Sequence, residues 1–186
     1  MAGESRAVSA VISVILLAAV TVVLAAVLSV ATLDLAERLD DTAPVIGQSE
    51  GEFAAQDGFD GGIVRITHVA GAVVRVSEIE VAVSAECSGD GTDKHGRLVN
   101  LPAKSGDRPQ DDNIEGDDIF DESTGSLTER GADDTGALVT DEFRPGDVIV
   151  FRIADGDCDL RSGDTVTVRV VHTPSNAVII RQQLTA

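Results

Sequence analysis

Residues 8–33 read VSAVISVILLAAVTVVLAAVLSVATL, a run of 26 residues without a charged side chain. An α-helix of this length, rising 1.5 Å per residue, would reach about 39 Å, and the hydrocarbon core of a bilayer is about 30 Å thick. A cleavable secretory signal has an apolar region of only about 7–15 residues. The run therefore predicts a membrane-spanning helix. Because the chain contains no proline before Pro44, we expect this helix to extend over residues 8–42.

The residues that flank the apolar run predict its orientation. Arg6 precedes the run, whereas acidic residues, beginning with Asp34 and Glu37, follow it. Basic residues next to a spanning helix favour the cytoplasmic side of the membrane. We therefore expect a single-pass arrangement with the N-terminus in the cytoplasm and residues 43–186 outside the cell.

Small residues recur within the apolar run. Helices associate in an apolar environment through close packing of small side chains, and Ala25 and Ser29 have the small-x-x-x-small spacing of such contacts. The alternative is a plain membrane anchor, in which alanine has no packing role. On spacing alone the plain anchor is the simpler interpretation, whereas a subunit that assembles through its helix would make these contacts through Ala18, Ala19, Ala25, Ala26 and Ser29.

The stretch SRAVSAVISVILLAAVTVVLAAV, residues 5–27, resembles the N-terminal segment of archaeal type IV pilins. In that family a basic and a small residue precede the bond cut by the prepilin peptidase, and an apolar and a small residue follow it. These four places are occupied here by Arg6, Ala7, Val8 and Ser9. The resemblance thus implies a leader of residues 1–7 and cleavage between Ala7 and Val8. Ala10 and Ser13 depart from the family's usual proline and glycine.

The resemblance also implies a function. It implies a structural subunit of a type IV pilus-like surface filament, which polymerises with itself or with other pilins through its helix and supports surface adhesion or cell–cell contact. The implied partners are the prepilin peptidase, the pilus assembly machinery and the cytoplasmic membrane. Two alternatives remain open. One is an uncleaved single-pass protein whose outer domain binds a partner; the other is a secreted protein cut near Ala31.

The charge of the chain excludes one class of partner. Its net charge is −18, and the whole excess lies after residue 33. Nucleic-acid binding requires clustered lysine and arginine, so we expect no nucleic-acid partner. In molar salt the electrostatic screening length falls to about 3 Å, and crowded carboxylates no longer repel one another at a distance. With only two lysines and no Trp or Tyr, the composition predicts a protein of a salt-loving organism.

After the apolar run, short stretches alternate apolar and polar residues and are separated by Gly and Asp. These stretches are IVRITHV at 63–69, SEIEVAVS at 77–84, DVIVFRI at 147–153, DTVTVRVVH at 164–172 and AVIIRQQL at 177–184. A period of two in β-branched residues predicts half-buried antiparallel strands, and two such sheets pack as a sandwich. The predicted fold class is α+β, with a long N-terminal helix followed by an Ig-like or pilin-type β-sandwich over residues 43–186. Parts of these stretches also loosely resemble the exported domains of the same pilins.

One segment between the predicted strands is strongly acidic. Residues 105–142 contain 13 acidic and two basic residues, and a connection this long is unusual inside a compact domain. We predict an exposed acidic loop insertion that adds nothing to the core, with a brief strand at GALVT (136–140). The segment could form a cation-binding or adhesive tip, but a solvated loop suited to salt is the simpler interpretation.

The chain has two cysteines, Cys87 and Cys158. In an exported domain they permit one disulfide, which would close a loop of about 70 residues and stabilise the fold by roughly 4 kcal/mol in the chain-entropy model. Two unrelated thiols are the alternative.

No pattern in the sequence predicts catalysis or a cofactor. His68 and His172 close predicted strands as surface residues, His95 lies in a predicted loop, and their spacing does not suit zinc. The stretch DGDCDLRSGD, residues 155–164, begins like a calcium loop but lacks its glycine and its final acid, so we predict a hairpin turn there. The sequence therefore predicts no catalytic residue, no metal site, no cofactor and no enzyme.

Overall fold

The computed structural model describes residues 12–27, 43–56, 59–103, 110–117, 119–120, 136–153 and 158–186. The chain divides into two compact units, Met1–Thr42 and Ala43–Ala186. In the first unit, residues 12–27 form helix α1. The other residues of the helix predicted over 8–42 lie outside the described residues. In the described part of the chain, no helix has both the length and the continuous apolar stretch needed to cross a bilayer.

The second unit is built from β-strands, of which ten lie in its described residues. They are, in chain order, β1 Ile46–Gln56, β2 Phe59–Gly71, β3 Val74–Arg75, β4 Ile79–Cys87, β5 Thr92–Leu98, β6 Ile114–Gly116, β7 Glu142–Phe143, β8 Val148–Ile153, β9 Thr165–His172 and β10 Ala177–Thr185. Short 3-10 helices occupy Val76–Glu78, Asp111–Asn113 and Ala137–Val139. A helix followed by antiparallel sheets confirms the predicted α+β class.

The strands form two main sheets and a short ribbon. One sheet has the order β1-β2-β8, the other has the order β10-β9-β4-β5-β6, and β3 pairs with β7. Every strand pairing is antiparallel. The five stretches predicted as strands from their alternation correspond to β2, β4, β8, β9 and β10.

The two main sheets pack face to face over one hydrophobic core. Val64, Ile66 and Phe151 of the three-stranded sheet share this core with Val83 and Val168 of the five-stranded sheet, and each is at most 2% exposed. Alternation with a period of two sends every second side chain inward from both sheets, as expected for a sandwich.

Strands β1 and β10 meet along one side of the sandwich. The Gln182 side chain donates hydrogen bonds from Nε2 to the backbone oxygen of Ser49, at 3.0 Å, and to its Oγ, at 2.9 Å. Gly51 allows the close approach, because a Cβ atom there would lie 2.8 Å from Cδ2 of Leu184. The edges of the two sheets are thus joined by side chains.

The predicted hairpin at residues 155–164 is wrong. Strand β8 pairs with β2 in one sheet, whereas β9 pairs with β4 and β10 in the other. The chain therefore crosses from one sheet to the other between Ile153 and Thr165. Inward alternation looks the same from either sheet, so it does not reveal which strands are neighbours.

The acidic segment contributes to the core, contrary to prediction. Ile119, Phe120, Ala137 and Leu138 are each at most 3% exposed. Phe120 forms a β-bridge to Ile153, and its ring meets Phe151 edge to face at 5.5 Å. The predicted strand at GALVT is also wrong, because residues 137–139 form a 3-10 helix after the bridge at Gly136.

The predicted surface positions of the histidines are wrong at His68 and His172. His68 is fully buried because it continues the inward alternation of Val64 and Ile66 along β2, and its ring lies 5.0 Å from that of Phe143. His172 is only 6% exposed. His95 lies in strand β5 and not in a loop.

We predict that replacing His68 by leucine stabilises the fold. Both ring nitrogens of His68 are buried without a hydrogen-bond partner among the described residues, and a buried unpaired polar group costs about 1–3 kcal/mol. His68→Leu is expected to raise the free energy of unfolding by about 1 kcal/mol, measured by denaturant titration. His95→Leu, at an exposed position, is the control and should have little effect. A lower stability for His68→Leu would contradict the structural assignment.

Candidate assembly surface

Helix α1 presents an unusually apolar surface. Each of its large apolar side chains is more than half exposed: Ile12, Val14, Ile15, Leu16, Leu17, Val20, Val22, Val23, Leu24 and Val27. Successive residues of an α-helix are about 100° apart, so these ten positions point in all directions around the axis. No charged residue lies within 12–27. A helix that is hydrophobic all round is stable when it is buried in protein or in lipid.

The hydroxyl group of Thr21 is compatible with such burial. Its Oγ1 donates a hydrogen bond to the backbone oxygen of Ala18, one turn earlier, at 2.8 Å. A hydroxyl transferred into an apolar environment without a partner would be costly. Because the bond is made within the helix, Thr21 needs no partner from outside.

The predicted packing alanines form a repeated pattern on α1. Ala18 and Ala25 are seven residues apart, as are Ala19 and Ala26. Seven residues bring an α-helix back to within about 20° of the same direction. Two adjacent alanine pairs therefore lie on one side of the helix, where a second backbone can approach closely. Ser29, the fifth predicted packing residue, lies outside the described residues.

The predicted maturation residues also lie outside the described residues. These are Arg6, Ala7, Val8 and Ser9, and their assignment to peptidase recognition remains a prediction.

A disulfide fixes the crossover between the two sheets. Cys87 ends β4, and its sulfur lies 1.96 Å from that of Cys158. Beside it, the Gly89 amide donates to the Asp159 backbone oxygen at 3.1 Å, and the Asp159 amide donates to Asp90 Oδ2 at 3.1 Å. The turn after β4 and the chain after residue 157 are thus held together by covalent and hydrogen bonds.

Asp164 adds hydrogen bonds between the turn after β4 and the segment that leads into β9. One of its carboxylate oxygens accepts hydrogen bonds from the Arg161 amide at 2.7 Å, the Ser88 hydroxyl at 2.8 Å and the Ser88 amide at 3.2 Å. The bond from the Arg161 amide is the main cause that lowers the pKa of the Asp164 carboxyl below its ordinary value, the bonds from Ser88 add to it, and burial opposes them. Donors that favour the charged carboxylate explain this direction.

His172 has a similar structural role at the β9–β10 turn. Its Nδ1 lies 2.7 Å from Ser175 Oγ, and its Nε2 lies 3.7 Å from Glu78 Oε2. The Thr173 amide donates to the Glu78 backbone oxygen at 2.8 Å. Glu78 also accepts a hydrogen bond from Arg75, which is the main cause that lowers the pKa of Glu78. These contacts tie the turn to the start of β4.

Among the described residues, no group of three or more His, Cys, Asp and Glu side chains is arranged to hold a metal ion.

The described chain thus combines a helix that is apolar on every side with a separate β-sandwich. Residues 6–47 match the family model for the N-terminal segment of archaeal type IV pilins. The resemblance of this segment to the N-terminal segment of archaeal type IV pilins, found in the sequence, is thereby confirmed. The match ends within β1 and leaves residues 48–186 outside it. A search of curated proteins found no match.

We predict that Asp164→Asn destabilises the domain in a pH-dependent way. A carboxyl whose pKa is lower in the folded state stabilises the fold above its unfolded-state pKa, and this stabilisation is lost as the pH falls through its folded-state pKa. Thermal unfolding should show a lower midpoint for Asp164→Asn at neutral pH, with the difference from the natural chain shrinking below about pH 4. Asp93→Asn, at an exposed strand position, is the control. A difference that does not change with pH would contradict this role of the carboxylate.

Proposed function

We propose that the chain is the structural subunit of a type IV pilus-like surface filament, assembled through its N-terminal helix. The observation that carries this proposal is the apolar surface of α1, exposed on all sides and lying within the segment that matches archaeal type IV pilins. This surface needs either lipid or other helices, and a filament subunit uses both in succession.

In this proposal, proteolytic maturation allows the helix to move from the lipid bilayer into a bundle of other helices. The leader of residues 1–7 contains Glu4 and Arg6, and these charges would hold the N-terminus on the cytoplasmic side of the membrane. Cleavage after Ala7 by the prepilin peptidase removes them, so the helix can be lifted out of lipid by the assembly machinery. Both environments are apolar, so the transfer depends on helix packing and not on a gain in hydrophobic burial. The alanine pairs on α1 provide the close approach that this packing requires.

The β-sandwich would cover the outside of the filament. Residues 43–186 carry a net charge of −15, because residues 1–42 hold five acidic and two basic residues. A surface this acidic stays soluble, and in concentrated salt its self-repulsion is screened. In this proposal the domain faces the medium of a salt-loving organism and supports adhesion to surfaces or contact between cells.

We predict that a lysine at Ala19 or Ala26 prevents filament formation. A charged side chain costs about 2.5–3.5 kcal/mol at the centre of a membrane helix, and it also blocks close packing of helices. The yield of filaments sheared from cells is expected to fall below detection for Ala19→Lys and Ala26→Lys.

Two further variants separate packing from membrane insertion. Ala19→Leu keeps the helix apolar but adds bulk, so the subunit should reach the membrane at the normal level and give few filaments. Ala19→Ser keeps the side chain small and should assemble normally. If Ala19→Leu assembles as well as the natural chain, packing through this alanine is refuted.

The N-terminal residue of the protein recovered from cells tests the proposed cleavage. Mass spectrometry of filament subunits is expected to find Val8 first, and Ala7→Leu should abolish this processing. A chain that begins at Met1 or Ala2 would indicate an uncleaved anchor instead. A chain that begins after the apolar run would indicate ordinary secretion.

A further inference from the structure

An uncharged surface lies where the chain enters the β-domain. Two stretches form it, APVIG at 43–47 and VAGAV at 69–73, and neither contains a charged residue. We call these two stretches the entry rim. They contrast with the net charge of −15 over residues 43–186.

The backbone holds the two stretches of the entry rim together. Ile46 pairs with Gly71 in the β1–β2 ladder, and the Ala72 amide donates to the Val45 backbone oxygen at 2.9 Å. Gly71 has a φ of +143°, and a Cβ atom there would lie only 2.7 Å from the Val45 oxygen. A glycine is therefore required for this close approach. The entry rim is a defined structure whose two stretches are fixed side by side.

The side chains of the entry rim point largely into solvent. Val45 is 74% exposed, Val73 is 51% exposed and Val69 is 39% exposed. Ala70 and Ala72 between them are exposed as well. Ile46 packs partly against the core and anchors the rim to the sandwich. Single exposed apolar residues are common, whereas a contiguous group indicates an interaction site.

The first stretch of the entry rim directly follows, in the sequence, the unit that contains α1. Ala43 is the first residue of the β-domain, directly after the unit that contains α1. The match to archaeal type IV pilins continues to residue 47 and thus includes the first stretch of the rim. The family segment therefore extends from the helix onto this surface of the domain.

We propose that the entry rim is a second assembly contact, which packs on α1 of another copy of this chain. This inference rests on the proposed function. Helix α1 suits the rim because residues 12–27 are uncharged and their apolar side chains are exposed. Packing the rim on an acidic face of another β-domain would instead bury carboxylates, and a buried charge without a partner is costly.

An acidic residue in the entry rim is expected to block assembly. Val45→Asp and Val73→Asp, each in the full chain, should lower the yield of sheared filaments at least tenfold, while the amount of mature subunit in the membrane stays the same. Thr92→Asp is the control because Thr92 is also exposed but lies on β5, opposite Cys87 and outside the rim. It should leave the yield within about twofold, since substitutions at exposed positions usually have small effects.

The possible outcomes distinguish a failure of the rim contact from a failure of the proposed function. If Val45→Asp and Val73→Asp assemble normally while Ala19→Lys does not, the rim contact is refuted and assembly through the helix stands. If the natural chain forms no filament, the proposed function itself fails. Equal losses in Val73→Asp and Thr92→Asp would show a general effect of added charge and would also overturn the rim contact.

Crosslinking identifies what covers the rim. A photoreactive benzophenone side chain at position 73 is introduced into one tagged copy, which is expressed together with a copy carrying a different tag. The expected product joins the two copies, with the crosslink in the peptide of the second copy that contains residues 12–27. Crosslinks to lipid alone, or to the sandwich of the second copy, would overturn the proposal.

Discussion

The structure depends on one constraint, which is that an uncharged helix with apolar side chains on every side must be covered. Full burial of a large aliphatic side chain stabilises by about 1.5–3 kcal/mol. Ten such side chains on α1 are more than half exposed, so covering them would contribute on the order of 10 kcal/mol. This is comparable to the whole stability of a typical domain, about 5–15 kcal/mol.

The β-domain is organised in a different way from the helix. Its core is closed by two sheets, its crossover is fixed by the Cys87–Cys158 disulfide and by Asp164, and its surface is strongly acidic. This unit therefore has a buried core of its own. The entry rim differs from this acidic surface, because its exposed side chains are apolar and its sequence is uncharged. Along the chain, the change from a helix that needs cover to a domain with its own buried core therefore falls at this rim.

Much of the fold could be predicted from the sequence where local pattern and burial agree. Strands β4 and β9 are rich in valine and isoleucine with a strict period of two, and both were predicted. Strand β1 was missed because Ile46 and Phe53 are its only large apolar residues and it carries Glu50 and Glu52. Strand β5 was missed because its sequence TDKHGRL is mostly polar. Both lie beside a strongly apolar strand, which stabilises them through pairing that a local pattern does not show.

The errors have a common physical cause, which is that long-range contacts override local composition. Acidic residues surround Ile119 and Phe120, yet these two side chains reach the core. Strands β8 and β9 follow one another in the chain but belong to different sheets. For the candidate site, the positions of the alanines on α1 follow from the sequence, and their role in packing stays a prediction. The entry rim could not be found in this way, because it depends on VAGAV lying beside Val45.

A cryo-EM map of filaments released from cells would test the central claim most directly. The account predicts that residues 12–27 of neighbouring copies pack against one another along the filament axis, with the alanine side of each helix in contact and no lipid or solvent around it. Filaments built from the β-domain alone, or with residues 12–27 facing solvent, would contradict it.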